Sequence, residues 1–224
     1  MLTKNFNFLM SMTVLLPFIS GLVRLKKLSR LYRPFIILVS LAALTELVNH
    51  IAIEYFNNNS AVINAYSLVE CLLIISQFYY WRYLSRTKRW YPYFGFLCIA
   101  IWIIDNLFIG NIHVVGSLFR ISSAFILVVL SINEINYLII HENRNLLKNA
   151  RFLICTGFLI YFLYQILLEG AFSISAKESN ATANKIIELS VYINALINVL
   201  YGVAVWFIPK RTSFNFKDED LVET

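Results

Sequence analysis

The stretch Phe35–Phe56, FIILVSLAALTELVNHIAIEYF, decides the fold. As a helix it spans roughly 33 Å at 1.5 Å rise per residue, about the thickness of a bilayer's hydrocarbon core. Apolar residues fill nearly every turn, whereas a soluble helix would show one apolar face. The exceptions are ordered. Glu46, Asn49 and His50 stand at i, i+3 and i+4, with Ala42 and Ala43 a turn earlier, so one polar stripe flanked by small residues runs along an otherwise greasy rod.

Six further stretches read the same way, at about Asn5–Val23, Ala61–Trp81, Tyr91–Gly110, Val114–Leu138, Arg151–Glu169 and Ile186–Phe207. Between them stand turn-forming residues such as Asn57-Asn58-Asn59-Ser60 and Gly110-Asn111. Strand-like alternation is absent. The expected fold is therefore all-α: a polytopic membrane bundle of seven transmembrane helices in one domain over residues 1–208, with a short charged tail, 209–224. The first stretch is the weakest, with an apolar part of about 16 residues against the roughly 20 a span requires. Six spans are the alternative, and that segment also has features of a signal peptide. The basic cluster directly behind it favours a retained helix.

Composition agrees. Charged residues make up 14% of the 224 and hydrophobic residues 59%, and mean hydropathy is +0.67. A soluble domain carries about 25% charged residues, so a water-soluble enzyme, a secreted module and a disordered chain are all disfavoured. The net charge of +6 is explained by placement. Fifteen of the nineteen basic residues fall in alternate loops and the tail, including Arg24, Lys26, Lys27, Arg30 and Arg33 in the first loop and Arg82, Arg86, Lys88 and Arg89 in the third. Lys and Arg favour cytoplasmic loops, which puts the N-terminus outside and the tail inside. The expected location is a cytoplasmic membrane, the inner membrane of a bacterium. No phosphate loop or zinc-finger spacing accompanies these charges, and no nucleic-acid partner is expected.

Cys71, Cys98 and Cys155 are scattered through the spans without a CxxC pair and read as small packing residues. The histidines form no HExxH motif, so neither a metal nor a cofactor is expected. Midway along the last span stand Asn194 and Asn198 in place of the lysine that a retinal Schiff base requires.

Function is sought among polar residues that the bilayer penalises. An ionisable side chain at mid-membrane costs about 2.5–3.5 kcal/mol on insertion scales and marks function by default. The candidate pocket residues are Glu46, Asn49, His50, Glu70, Asp105, Arg120, Gln165, Glu188 and Tyr192. With the orientation above most of them fall in the outer half of the membrane, which predicts a polar cavity opening outward. The loop Gly170–Lys185 has the length of a lid. Asn194, Asn198 and Tyr201 read as interhelical hydrogen-bonding groups. Glu54, Glu134 and Glu169 read as interfacial, and Arg120 with Asp105 as a possible ion pair. The acids outnumber the basic groups in this set, so either some carboxyls carry their protons or the site receives a cation, a proton or a cationic head group.

Three functions fit: a sensor or carrier for a small polar or lipid-derived ligand arriving from outside, an intramembrane acid–base enzyme acting on a lipid, or a structural subunit binding a membrane-protein partner. In the enzyme reading Glu46 or Glu70 serves as acid, His50 or Asp105 as base, and Arg120 holds a phosphate or carboxylate.

Overall fold

The computed structural model describes residues 9–82, 86–142, 145–175 and 181–210. Seven α-helices carry the architecture: α1 (Leu15–Arg24), α2 (Arg33–Phe56), α3 (Ser60–Trp81), α4 (Tyr91–Ile103), α5 (Ser117–His141), α6 (Ala150–Ser175) and α7 (Ala181–Phe207). Among the described residues there is no named strand, only one isolated bridge between Leu28 and Lys210. Among the described residues six segments are long and apolar enough to cross a membrane. The apolar helix Leu9–Arg24 is shorter and contains a 3₁₀ turn at Met12–Val14 just before α1. The protein is an integral membrane protein built as an all-α bundle.

Many large apolar side chains face outward. Phe108 and Ile140 are 79% and 75% exposed, an arrangement that lipid solvates and water does not. Inside, Phe35, Phe78, Phe119, Phe158, Leu127 and Leu138 are fully buried. The most extensive helix contacts run from α5 to α6 and from α6 to α7, and α1 lies along α7.

Local chemistry sets the helix ends. Pro34 opens α2, where a missing N–H costs nothing. Gln77 of α3 takes over part of the capping: its Oε1 accepts from the Phe35 N–H at 2.9 Å and its Nε2 donates to the Leu31 carbonyl at 2.7 Å. Asn57 ends α2 in the left-handed region at φ 53°, a conformation asparagine tolerates. Arg24 donates to the Val205 and Trp206 carbonyls at the C-terminal end of α7, placing a cation at the negative end of that helix.

One expectation is corrected. The helices α6 and α7 run to Ser175 and from Ala181, so most of the supposed lid Gly170–Lys185 is helix. Its remainder, 176–180 with Lys177, lies outside the described residues, as does the tail beyond Lys210. The fourth expected span, Tyr91–Gly110, is helical to Ile109: α4 continues into a π-helical turn, Ile104–Ile109, closed by the Gly110 N–H on the Asp105 carbonyl at 2.9 Å. A Cβ at Gly110 would lie 2.8 Å from that carbonyl oxygen, so glycine is required there.

Candidate functional site

Five of the nine candidates line one cavity system. The main chamber, of about 260 Å³, is bordered by Glu46 and Asn49 of α2, Glu70 of α3 and Arg120 of α5. A side chamber of about 60 Å³ shares Glu70 and Arg120 and adds Gln165 of α6. Sequence reasoning undervalued the rest of the wall. Tyr66, Tyr161 and Tyr201 face the main chamber, as do Asn194 and Asn198 of α7. Their signal was present, since each is a polar residue within a span, but hydrogen-bonding groups between helices look the same in sequence. Asn198 serves both roles, because its Nδ2 also donates to Thr13 Oγ1 at 3.0 Å. Ser11 joins the wall and its hydroxyl is hydrogen-bonded to Glu46.

The charges in this wall are not balanced. Arg120 pairs through Nε with Glu169 Oε1 at 3.0 Å, and Gln165 Nε2 donates to the same oxygen at 3.2 Å. Glu169, expected at the interface, is buried at 3% exposure and neutralises Arg120, the one cation of the cavity wall among the described residues. Glu70 accepts a 3.2 Å hydrogen bond from the Tyr66 hydroxyl and lies within electrostatic reach of Arg120. Among the described residues neither Glu46 nor Glu70 forms an ion pair. Asn49 Oδ1 is buried without a hydrogen-bond partner. The wall thus offers acceptors.

Four candidates lie elsewhere. Asp105 is buried, but its Oδ2 accepts from the Phe119 N–H at 2.8 Å and so caps the start of α5. It does not pair with Arg120. A Cβ at Gly116 would sit 2.4 Å from the same Oδ2, so this closeness depends on glycine. Asn64 completes the clasp: Nδ2 donates to the Ile112 and Val114 carbonyls, and Oδ1 accepts from the Gly116 N–H at 3.1 Å. His50 faces Glu54 at 3.9 Å with both side chains largely exposed. Glu188 is exposed and Tyr192 is 45% exposed, and neither lines the cavity. Span four therefore contributes nothing to the main chamber, while the short first helix supplies Ser11, Val14 and Pro17.

A second charged centre was missed. Glu134 of α5, expected at the interface, has a fully buried side chain clasped by Arg82 at 2.9 Å and by Arg151. Arg82 also lies 3.7 Å over the Tyr137 ring, and Arg151 5.3 Å over Trp81. These arginines, read as topology markers, are structural ion-pair partners as well. Edge-to-face ring contacts connect the two centres: Tyr201 with Phe158, Phe158 with Phe78, and Phe78 with Trp81. Tyr201 can stand where it does because α6 has Gly157 opposite; a Cβ there would meet the ring at 2.3 Å. Cys71 and Cys98 are free thiols whose sulfurs lie 3.4 Å apart, with Cys71 at the edge of the side chamber.

Compared with known protein families, with curated proteins and with solved structures, the chain matches none. The functional reading therefore rests on this geometry.

Proposed function

We propose that this is a membrane receptor or carrier whose intramembrane chamber receives a small ligand from the outer side. One observation carries the reading: polar groups from α2, α3, α5, α6 and α7 converge on a chamber of about 260 Å³, near the lower end of small-molecule pockets at about 300–1,000 Å³. Interhelical hydrogen bonding alone would leave these groups paired across closed contacts. The proposed orientation has the N-terminus outside and the tail in the cytoplasm, supported by the basic loops. In that orientation the bundle forms one domain in a cytoplasmic membrane such as the inner membrane of a bacterium, with the tail as a separate segment.

The acid–base enzyme is less well supported. Of its two bases, His50 lies outside the chamber and Asp105 is engaged as a helix cap. A purely structural subunit is less well supported, because Glu46, Asn49, Glu70, Arg120 and Gln165 line the cavity, while only His50, Glu188 and Tyr192 of the candidates are exposed to a partner.

The test is thermal unfolding of the purified protein in lipid nanodiscs against a fractionated polar metabolite extract. A stabilising fraction is expected that loses its effect on Glu46→Gln and Glu70→Gln but retains it on Glu188→Gln. Equal responses from all three variants would remove the chamber from the reading. A change in cellular lipid profile on deleting the gene would favour the enzyme instead.

A further inference from the structure

We infer, resting on the chamber as the binding site, that its occupant is a small organic cation carrying an ammonium group. The charge pattern selects it. Arg120, the basic residue of the wall, is already engaged by Glu169, with Gln165 supporting the same oxygen. Two carboxyl groups, Glu46 and Glu70, then face the chamber without an ion-pair partner among the described residues. An anionic ligand would have to displace Glu169 from Arg120 and would meet both carboxyls. A neutral polar ligand would leave both acids to rely on bound protons, whereas an ammonium group lets them stay ionised in a low-dielectric setting.

The rest of the wall fits the same class. Tyr66, Tyr161 and Tyr201 present aromatic rings, and ammonium groups are attracted to ring faces. Asn49 contributes a buried carbonyl oxygen with no hydrogen-bond partner, an acceptor for an N–H donor. Leu38, Val39, Ile74 and Ile197 supply an apolar side for a short hydrocarbon or aryl body. The chamber volume suits one such body; a two-chain lipid does not fit inside it.

The probes are phenethylammonium, phenethyl alcohol and phenylacetate, which share a body and differ in head-group charge. They are compared by their effect on the unfolding temperature of the full-length protein in nanodiscs of zwitterionic lipid. The cation is expected to stabilise, the alcohol weakly or not at all, and the acid not at all. Glu46→Gln and Glu70→Gln are each expected to weaken the cation's apparent affinity about tenfold or more, the usual cost of losing a charged hydrogen-bond partner. Stabilisation by the alcohol or the acid equal to that by the cation would overturn the inference. So would a cation effect unchanged in both variants.

A second measurement separates failure of the ligand class from failure of the chamber. Ala42 lines the chamber. Ala42→Cys, in a background with the three native cysteines replaced by alanine, is treated with a small neutral thiol reagent. Labelling that phenethylammonium slows supports the inference. Labelling indifferent to all three probes leaves an open chamber and overturns the cation. An unreactive Cys at position 42 in folded protein overturns the chamber reading itself.

Discussion

The bundle handles buried carboxylates in two opposite ways. Around Glu134 two arginines close on one carboxylate, and two aromatic rings cover the arginines. Around Glu46 and Glu70 the single arginine is diverted to Glu169 and a chamber stays open. Both regions use acids on membrane-spanning helices. The difference separates an acid held by its counter-charges from acids that line a chamber without an ion-pair partner among the described residues, and only the second kind is available to a ligand in the proposed reading. A paired acid is a structural element.

The largest effect that could break this contrast is expected at Glu134. Glu134→Gln leaves two buried guanidinium groups without their counter-ion and is expected to cost about 3–5 kcal/mol, read as a fall in unfolding temperature and folded yield. A triple change to Glu134→Leu, Arg82→Met and Arg151→Met is expected to recover much of that loss, because an apolar cluster can replace a buried ion network. Arg120→Met comes next. It strands Glu169 with Gln165 as its remaining donor, and about 2–3 kcal/mol is expected to be lost; adding Glu169→Gln should restore most of it.

Gly157→Ala drives a methyl group into the Tyr201 ring. A cost of about 1–3 kcal/mol is expected from overpacking, together with slower labelling at Ala42→Cys as Tyr201 is pushed from its place in the wall. The smallest effects sharpen the contrast most. Glu70→Gln removes an acid without an ion-pair partner and is expected to leave ligand-free stability within about 1 kcal/mol or to raise it. Glu188→Gln, at an exposed position, is expected to stay within about 0.5 kcal/mol. If Glu70→Gln cost as much as Glu134→Gln, the two regions would be the same kind of structure.

The helical membrane class was legible because it follows from composition and the lengths of apolar runs. The stretch Phe35–Phe56 already contained a membrane-spanning helix and two of its chamber residues, Glu46 and Asn49. Glu70 and Arg120 were legible by type, since each is costly in hydrocarbon. The burial of Glu134 and Glu169 was not legible, because hydropathy gives the end of an apolar run and not what packs against it. The helices continue past both acids to His141 and Ser175, and the counter-ions that make burial tolerable come from distant parts of the chain. Asp105 was misplaced for a different reason. Its residue type marks it as a candidate, but its partner, the Phe119 N–H, lies 14 residues on, beyond the turn at Gly110, and that capping role has no spacing signal. The tyrosines were undervalued because a ring filling a gap and a ring facing a ligand have the same sequence spacing.

The run of ring contacts from Tyr201 through Phe158 and Phe78 to Trp81 has an electrical consequence. Rings packed edge to face leave no room for a hydrated ion, so this run separates the two charged centres with apolar material. In an energised membrane, part of the voltage falls across it, and a full crossing is worth about 2.3 kcal/mol per elementary charge per 100 mV. A cation resting at Glu70 would sense a fraction of that field. Its dwell time would vary with membrane potential, and any passage onward would require a ring in this stack to turn aside; with the rings in place the path is an open circuit.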